Sequence, residues 1–153
     1  IRQVSGRAGR SKSQGTVLIQ TKNINHSLNR KLQSNDDDNY YMRELAQRKE
    51  FSYPPYVKLI KIKFRSRNRN IVYDGSNWFA NTLKNNMACK ILGPEYPIIS
   101  KIKNEFLMNL LIKIKPDDNL SSTKKIISKV LKKFNTYTEF RLIKTDVDVD
   151  PYN

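Results

Sequence analysis

The 153-residue chain carries 29 Lys and Arg against 14 Asp and Glu, a net charge of +15, and its isoelectric point is about 10.0. That balance points to an anionic partner, nucleic acid before membrane, because the cations are spread over several predicted elements. No apolar run approaches the ~20 residues that span a bilayer, the polar start is not a signal peptide, and the single cysteine, Cys89, excludes a disulfide or a multi-cysteine zinc site within the sequence; a cytoplasmic protein without membrane partners is expected.

In chain order, residues 1–15 are rich in Arg, Gly, Ser and Gln. Gly15 to Thr21 is a short β-rich run and predicts a buried strand. His26 to Gln33 and Asp37 to Phe51 read as two helices, the second favoured at its amino end by Asp36, Asp37 and Asp38. Tyr53-Pro54-Pro55-Tyr56 ends it, since the residue before a proline is pushed away from the helical region. We place a domain boundary there, giving units 1–55 and 56–153.

In Val57 to Arg65, Ile60, Ile62 and Phe64 alternate with Lys61, Lys63 and Arg65, the period of a half-buried strand. Ile71 to Met87 predicts a helix with Trp78, Phe79 and Leu83 on its core face, Asp74-Gly75 leaving its first turn open. Lys90 to Leu92 predicts a short strand closed by Gly93-Pro94. The alternation from Phe106 to Ile114 predicts a long one, followed by a turn at Pro116 to Asn119. Leu120 to Phe134 is an amphipathic helix capped by Ser121 or Ser122, with Lys124, Lys125, Lys129, Lys132 and Lys133 outside. Leu142 to Asp150 closes the chain as a strand. The order from Val57 on is β-α-β-β-α-β, an α+β sandwich with both helices on one face of a four-stranded sheet.

The most specific string is Gln3-Val4-Ser5-Gly6-Arg7-Ala8-Gly9-Arg10. It fits Q-x-x-G-R-x-G-R, the sixth motif of superfamily 2 helicases. In phosphoryl transfer the γ-phosphate spreads charge over its equatorial oxygens. Two guanidiniums three residues apart can meet that charge with fixed donors, while Gly6 and Gly9 let the backbone approach. Arg7 and Arg10 are the candidate γ-phosphate arginines, and Gln3 helps to position nucleotide or water. A basic Gly-Arg arm that merely touches nucleic acid is the bland alternative.

The flanks carry a resemblance. Gly15 to Thr21 resembles the strand after this motif in the primosomal protein N′ family of bacterial replication-restart helicases. His26-Ser27-Leu28, Glu44-Leu45 with Arg48, Tyr53-Pro54-Pro55-Tyr56, Leu92-Gly93-Pro94 and Asp148-Val149-Asp150-Pro151 match that family's landmarks in order. The resemblance implies an ATP-dependent 3′-to-5′ DNA helicase that recognises stalled forks and assembles the primosome. It implies that residues 1–55 are the tail of the second RecA-like lobe, and that 56–153 fold like a small ribosomal protein. ATP and Mg²⁺ are the implied cofactors, with zinc expected only upstream. The implied partners are forked and single-stranded DNA, the single-stranded-DNA-binding protein and other primosome proteins. With Ile1 leading and Met42 the first methionine, the sequence reads as a carboxy-terminal piece, inactive alone because it lacks a G-x-x-x-x-G-K-[ST] loop and a Mg²⁺ carboxylate motif. One departure stands out: in Lys103-Asn104-Glu105-Phe106-Leu107, Leu107 replaces a basic residue of the family. The rival reading is a non-enzymatic basic RNA- or DNA-binding module.

Two basic rows are candidate DNA contacts. Lys61, Lys63 and Arg65 can track a DNA backbone, or can be neutralised by Asp146, Asp148 and Asp150 across neighbouring strands. Lys125, Lys129 and Lys132 belong to the helix row, where phosphate contact is favoured over mere solubility. The three aspartates read as solvated rather than metal-binding. His26 reads as capping or surface packing, Cys89 as a buried small hydrophobe, and Trp78 and Phe79 as core.

Overall fold

The computed structural model describes Ala8, residues 15–25, Asn29 and residues 37–151, with backbone alone for 37–39. The motif residues Gln3, Gly6, Arg7, Gly9 and Arg10 lie outside the described residues, as does the stretch His26 to Leu28. The chain divides into two compact units, Ile1–Ala46 and Gln47–Asn153.

Residues 15–21 are not a strand. Leu18 is 95% exposed, and Val17 and Ile19 are also exposed. β propensity alone does not make a strand, which needs a ladder partner for its backbone groups; among the described residues none pairs with this run. Helix α1 (Asp37–Glu50) forms as expected.

The second unit is an α+β fold. Strand β1 (Lys58–Ser66) is followed by helix α2 (Arg69–Asn86), strands β2 (Lys90–Glu95), β3 (Lys101–Ile102) and β4 (Glu105–Ile114), helix α3 (Leu120–Thr136), a 3₁₀ turn (Thr138–Phe140) and strand β5 (Lys144–Val149). The sheet is antiparallel, in the order β2-β4-β1-β5, with β3 added beside β4. The alternation of β1 fixes its register, because a one-residue slip would turn Ile60, Ile62 and Phe64 outward. All three are at most 1% exposed and face Leu110, Ile112 and Met108 of β4. Val72, Phe79 and Leu83 of α2 and Ile127, Val130 and Phe134 of α3 close the same core, so both helices lie on one face. Each such side chain contributes about 1.5–3 kcal/mol through burial. Phe134 stacks on Phe140 with ring centroids 5.0 Å apart and meets Phe79 edge-on at 5.5 Å.

The structure moves several boundaries. The cap of α2 is Asn68, whose Oδ1 accepts from Asn70 N at 2.9 Å and Ile71 N at 3.3 Å, so the helix starts at Arg69. Gly75 is no breaker. It lies inside α2 where a Cβ would collide with Ile143 Cδ1 and meet Phe134 Cζ at 3.3 Å. The cap of α3 is Asn119, not Ser121 or Ser122: its Oδ1 accepts from Ser122 N at 3.0 Å, which makes Ser122 the third helical residue. Strand β2 continues through Gly93-Pro94 to Glu95 with a register shift between Leu92 and Glu95. Gly93 has φ +92, and a Cβ there would sit 2.7 Å from Asn109 O, so this bulge requires glycine. The last strand starts at Lys144 because the 3₁₀ turn consumes the preceding residues.

Candidate nucleic-acid interface

The two basic rows stand on opposite sides of the second unit. Lys61, Lys63 and Arg65 alternate with the core residues of β1 and therefore face away from the helices. The α3 lysines lie beyond the helix layer. The sheet and a helix separate them.

The strand row is already partnered. Strand β5 pairs with β1 so that Lys63 faces Asp146 and Lys61 faces Asp148. The ion pairs run diagonally: Lys63 Nζ to Asp148 Oδ2 at 3.6 Å, and Arg65 Nη2 to Asp146 Oδ2 at 2.8 Å. Glu105 of β4 receives Arg65 Nη1 at 3.9 Å and Lys144 Nζ at 2.7 Å. The Lys144 hydrogen bond is the main reason its carboxyl is held below the usual carboxylate range. Lys61 makes no ion pair with any described residue. Asp150 has left the row: it adopts φ 53 and its Oδ1 accepts from Leu59 N at 3.3 Å, closing the strand end. Among the described residues no three Asp, Glu, His or Cys side chains gather to hold a metal.

The helix row is different. The segment from Leu120 to Thr136 contains five lysines and no acid. All five are exposed, and none forms an ion pair with a described carboxylate. At about 100° per residue, Lys125, Lys129 and Lys132 fall within an arc of about 60° opposite Ile127, Val130 and Phe134. Seven residues at about 1.5 Å rise make a stripe of about 10 Å, roughly three nucleotide steps of one DNA strand. Lys124 and Lys133 flank it, the latter 6.0 Å from the centre of the Trp78 ring. An open depression at the helix start is lined by Leu120, Ser121, Lys124, Lys125 and Ser128. Trp78 belongs to the aromatic cluster, 5.8 Å from Phe134 and 4.9 Å from Tyr137.

Sequence reasoning missed Lys113. It lies on the outer face of β4 but is only 5% exposed. Its Nζ donates to Phe51 O at 2.7 Å and sits 3.8 Å from the centre of the Tyr53 ring, which ties the Tyr53-Pro54 segment onto the sheet. Burial, helped by the charge of Lys90, pushes its pKa down. A lysine in phase with Leu107, Asn109 and Leu111 was the available signal. Cys89 is half-buried rather than buried. Its Sγ lies 3.8 Å from Asp118 Oδ2 and 3.9 Å from Thr123 Oγ1, and burial raises its thiol pKa.

An antiparallel sheet with two helices on one face, acids beside one basic row and none in the other, defines a small basic α+β module. A family model described as the primosomal protein N C-terminal domain matches residues 49–152, roughly two thirds of the chain. This chain belongs to that family. It is similar to the replication restart protein PriA of Bacillus subtilis strain 168, 32% identical over 98% of this chain and 18% of that protein. It is also similar to that of Treponema pallidum strain Nichols, 31% identical over 99% and 22%, and to that of Borreliella burgdorferi, 32% identical over 86% and 20%. The chain thus spans about a fifth of the length of these relatives. Among the described residues no helix is long and apolar enough to cross a membrane.

Proposed function

We propose that this chain is the carboxy-terminal part of an ATP-dependent 3′-to-5′ DNA helicase that acts at stalled replication forks in the cytoplasm. The unit 56–153 contributes DNA binding through the Lys125, Lys129 and Lys132 stripe. The observation that carries this reading is the acid-free, unpaired lysine face of α3 on a domain of the primosomal family; phosphate neutralisation with counterion release is the work such a face can do. In the same proposal residues 1–55 are the tail of the second RecA-like lobe, where Arg7 and Arg10 meet the γ-phosphate of Mg²⁺-bound ATP and Gln3, Gly6 and Gly9 shape the loop. Zinc belongs upstream. The single-stranded-DNA-binding protein and the other primosome proteins are the proposed partners. The names and near-complete coverage of this chain by its relatives support the assignment to replication restart.

Two measurements test it. Titrated with DNA between 50 and 200 mM salt, this chain should bind no tighter than about micromolar at physiological salt. Its log–log slope should correspond to about three or four phosphate contacts at −0.9 each on duplex; no binding, or binding indifferent to salt, would overturn the DNA reading. In the longer protein, Arg10→Ala should cut ATP turnover at least ~10³-fold while nucleotide binding falls much less. Turnover near the parental rate would remove Arg10 from the reaction.

A further inference from the structure

The loop between β2 and β3 leaves the edge of the sheet level with Leu107 to Asn109 of β4 and carries two strongly exposed aliphatic residues. Between β2 and β3, Ile98 is 106% and Ile99 65% exposed. Neither contributes to the core. The loop that presents them is anchored at both sides. Before the tip, the Tyr96 hydroxyl accepts from Arg69 Nε at 3.3 Å, with the guanidinium 5.3 Å from the ring centre. After it, Leu107 N donates to Ser100 O at 2.9 Å, and Lys101 Nζ lies 4.9 Å from the centre of the Phe106 ring. The β3–β4 hairpin turns through Lys103 (φ 47) and Asn104 (φ 64), the two left-handed residues of a tight primed turn. Exposed cations flank the loop: Arg69, which holds Tyr96, with Arg67 two residues before it, and Lys101 and Lys103 of the β3–β4 hairpin; Glu95 and Glu105 bound the segment 96–104, and Glu105 is engaged by Arg65 and Lys144.

We infer that the Ile98–Ile99 tip is an aliphatic wedge that seats on the open base pair at a junction of duplex and single-stranded DNA, while Arg67, Arg69, Lys101 and Lys103 hold the flanking phosphates. The inference rests on the DNA-binding reading above and adds the residues that would meet the fork. The charge around the tip selects a polyanion, and the tip itself needs an apolar surface to cover it. Nucleic acid offers both, as phosphates beside base faces. Apolar side chains of this kind enter base steps at the expense of unstacking. At a junction one face of the terminal pair has already lost its neighbour, so the wedge covers it at little such cost. Preference for junctions over continuous duplex follows.

The test uses this chain, a fork carrying 2-aminopurine at the junction, and a duplex of the same sequence with both ends closed by hairpins. The parent should bind the fork more tightly and brighten the 2-aminopurine. The double variant Ile98→Ala/Ile99→Ala should lose the brightening and at least about tenfold in fork affinity, with the salt slope and melting temperature unchanged because both side chains are exposed. The double variant Lys101→Gln/Lys103→Gln should instead flatten the salt slope on the fork, by up to about 1.8 for two contacts, and leave the slope on the closed duplex, which the α3 stripe carries, unchanged. An isoleucine variant that matches the parent on the fork overturns the wedge while leaving DNA binding intact. Loss of binding to phosphatidylserine vesicles by that variant, with fork binding retained, overturns it in favour of a membrane surface. A parent that binds no DNA sinks the underlying reading, and the wedge with it.

Discussion

Lys63 on β1 and Lys129 on α3 are both lysines placed opposite a core face by the period of their element, yet their electrostatic surroundings differ. Lys63 has an aspartate 3.6 Å away, and its neighbour Arg65 is held between Asp146 and Glu105. Lys129 stands in a helix without a carboxylate, four residues from two lysines and three from another. The strand row gains its counter-charges from segments about 40 and 80 residues away in sequence, whereas the helix row has none among the described residues. A basic row is free to take phosphate only when the fold does not bring acids to it, and that is decided by strand pairing.

The largest contrast lies within α3 itself. Phe134→Ala should cost about 3–5 kcal/mol, because the ring is fully buried against Phe64, Phe79 and Phe140. The triple change Lys125→Gln/Lys129→Gln/Lys132→Gln should be neutral or slightly stabilising, since like charges three and four apart on a helix repel by about 0.2–0.5 kcal/mol per pair. Urea unfolding measures both, and a large loss of stability in the lysine variant would mean that its side chains are structural.

A smaller effect separates Lys113 from the other lysines. Its pKa is lowered in the folded state, mainly by burial. The folded protein therefore binds fewer protons at this site than the unfolded chain as pH rises towards the unfolded value of about 10.4. This site's contribution to stability should be fully present above that value and should fall as pH drops through the lowered folded value. Lys113→Met should flatten that rise, seen as a difference between parent and variant in unfolding free energy from pH 8 to 10.5, and should cost about 1 kcal/mol for the lost bond to Phe51 O. Identical pH profiles would contradict the depressed pKa.

The smallest expected effect is the coupling between Arg65 and Asp146. Both side chains are more than a third exposed, so screening should limit a double-mutant cycle to under about 1 kcal/mol, shrinking further with salt. A coupling of zero at low salt would make the strand row as available to phosphate as the helix row and would break the comparison.

How far the sequence reaches follows from the range of each interaction. Periods of two and of 3.6 marked β1, β4, α2 and α3, because burial of one face is written along the element. The two-residue β3, the bulge at Gly93 and the Asn119 cap were missed, because short pairings and caps depend on a few hydrogen bonds rather than on a period. Gly15 to Thr21 has strand-like residues but no described partner. The lysines were legible as exposed. The ion pairs of Arg65 with Glu105 and of Lys63 with Asp148 needed the strand order, as did the burial of Lys113 under Tyr53. The tip at Ile98 carried no periodic signal at all.

The most direct test of the central claim is the salt dependence of DNA binding by this chain and by two triple variants, Lys125→Gln/Lys129→Gln/Lys132→Gln and Lys61→Gln/Lys63→Gln/Arg65→Gln. The account predicts that the helix variant loses most of the slope, by about 0.9 for each duplex phosphate contact removed, while the strand variant keeps nearly all of it. A slope that survives in the helix variant and collapses in the strand variant would contradict the account and move the DNA path to the outer face of the sheet.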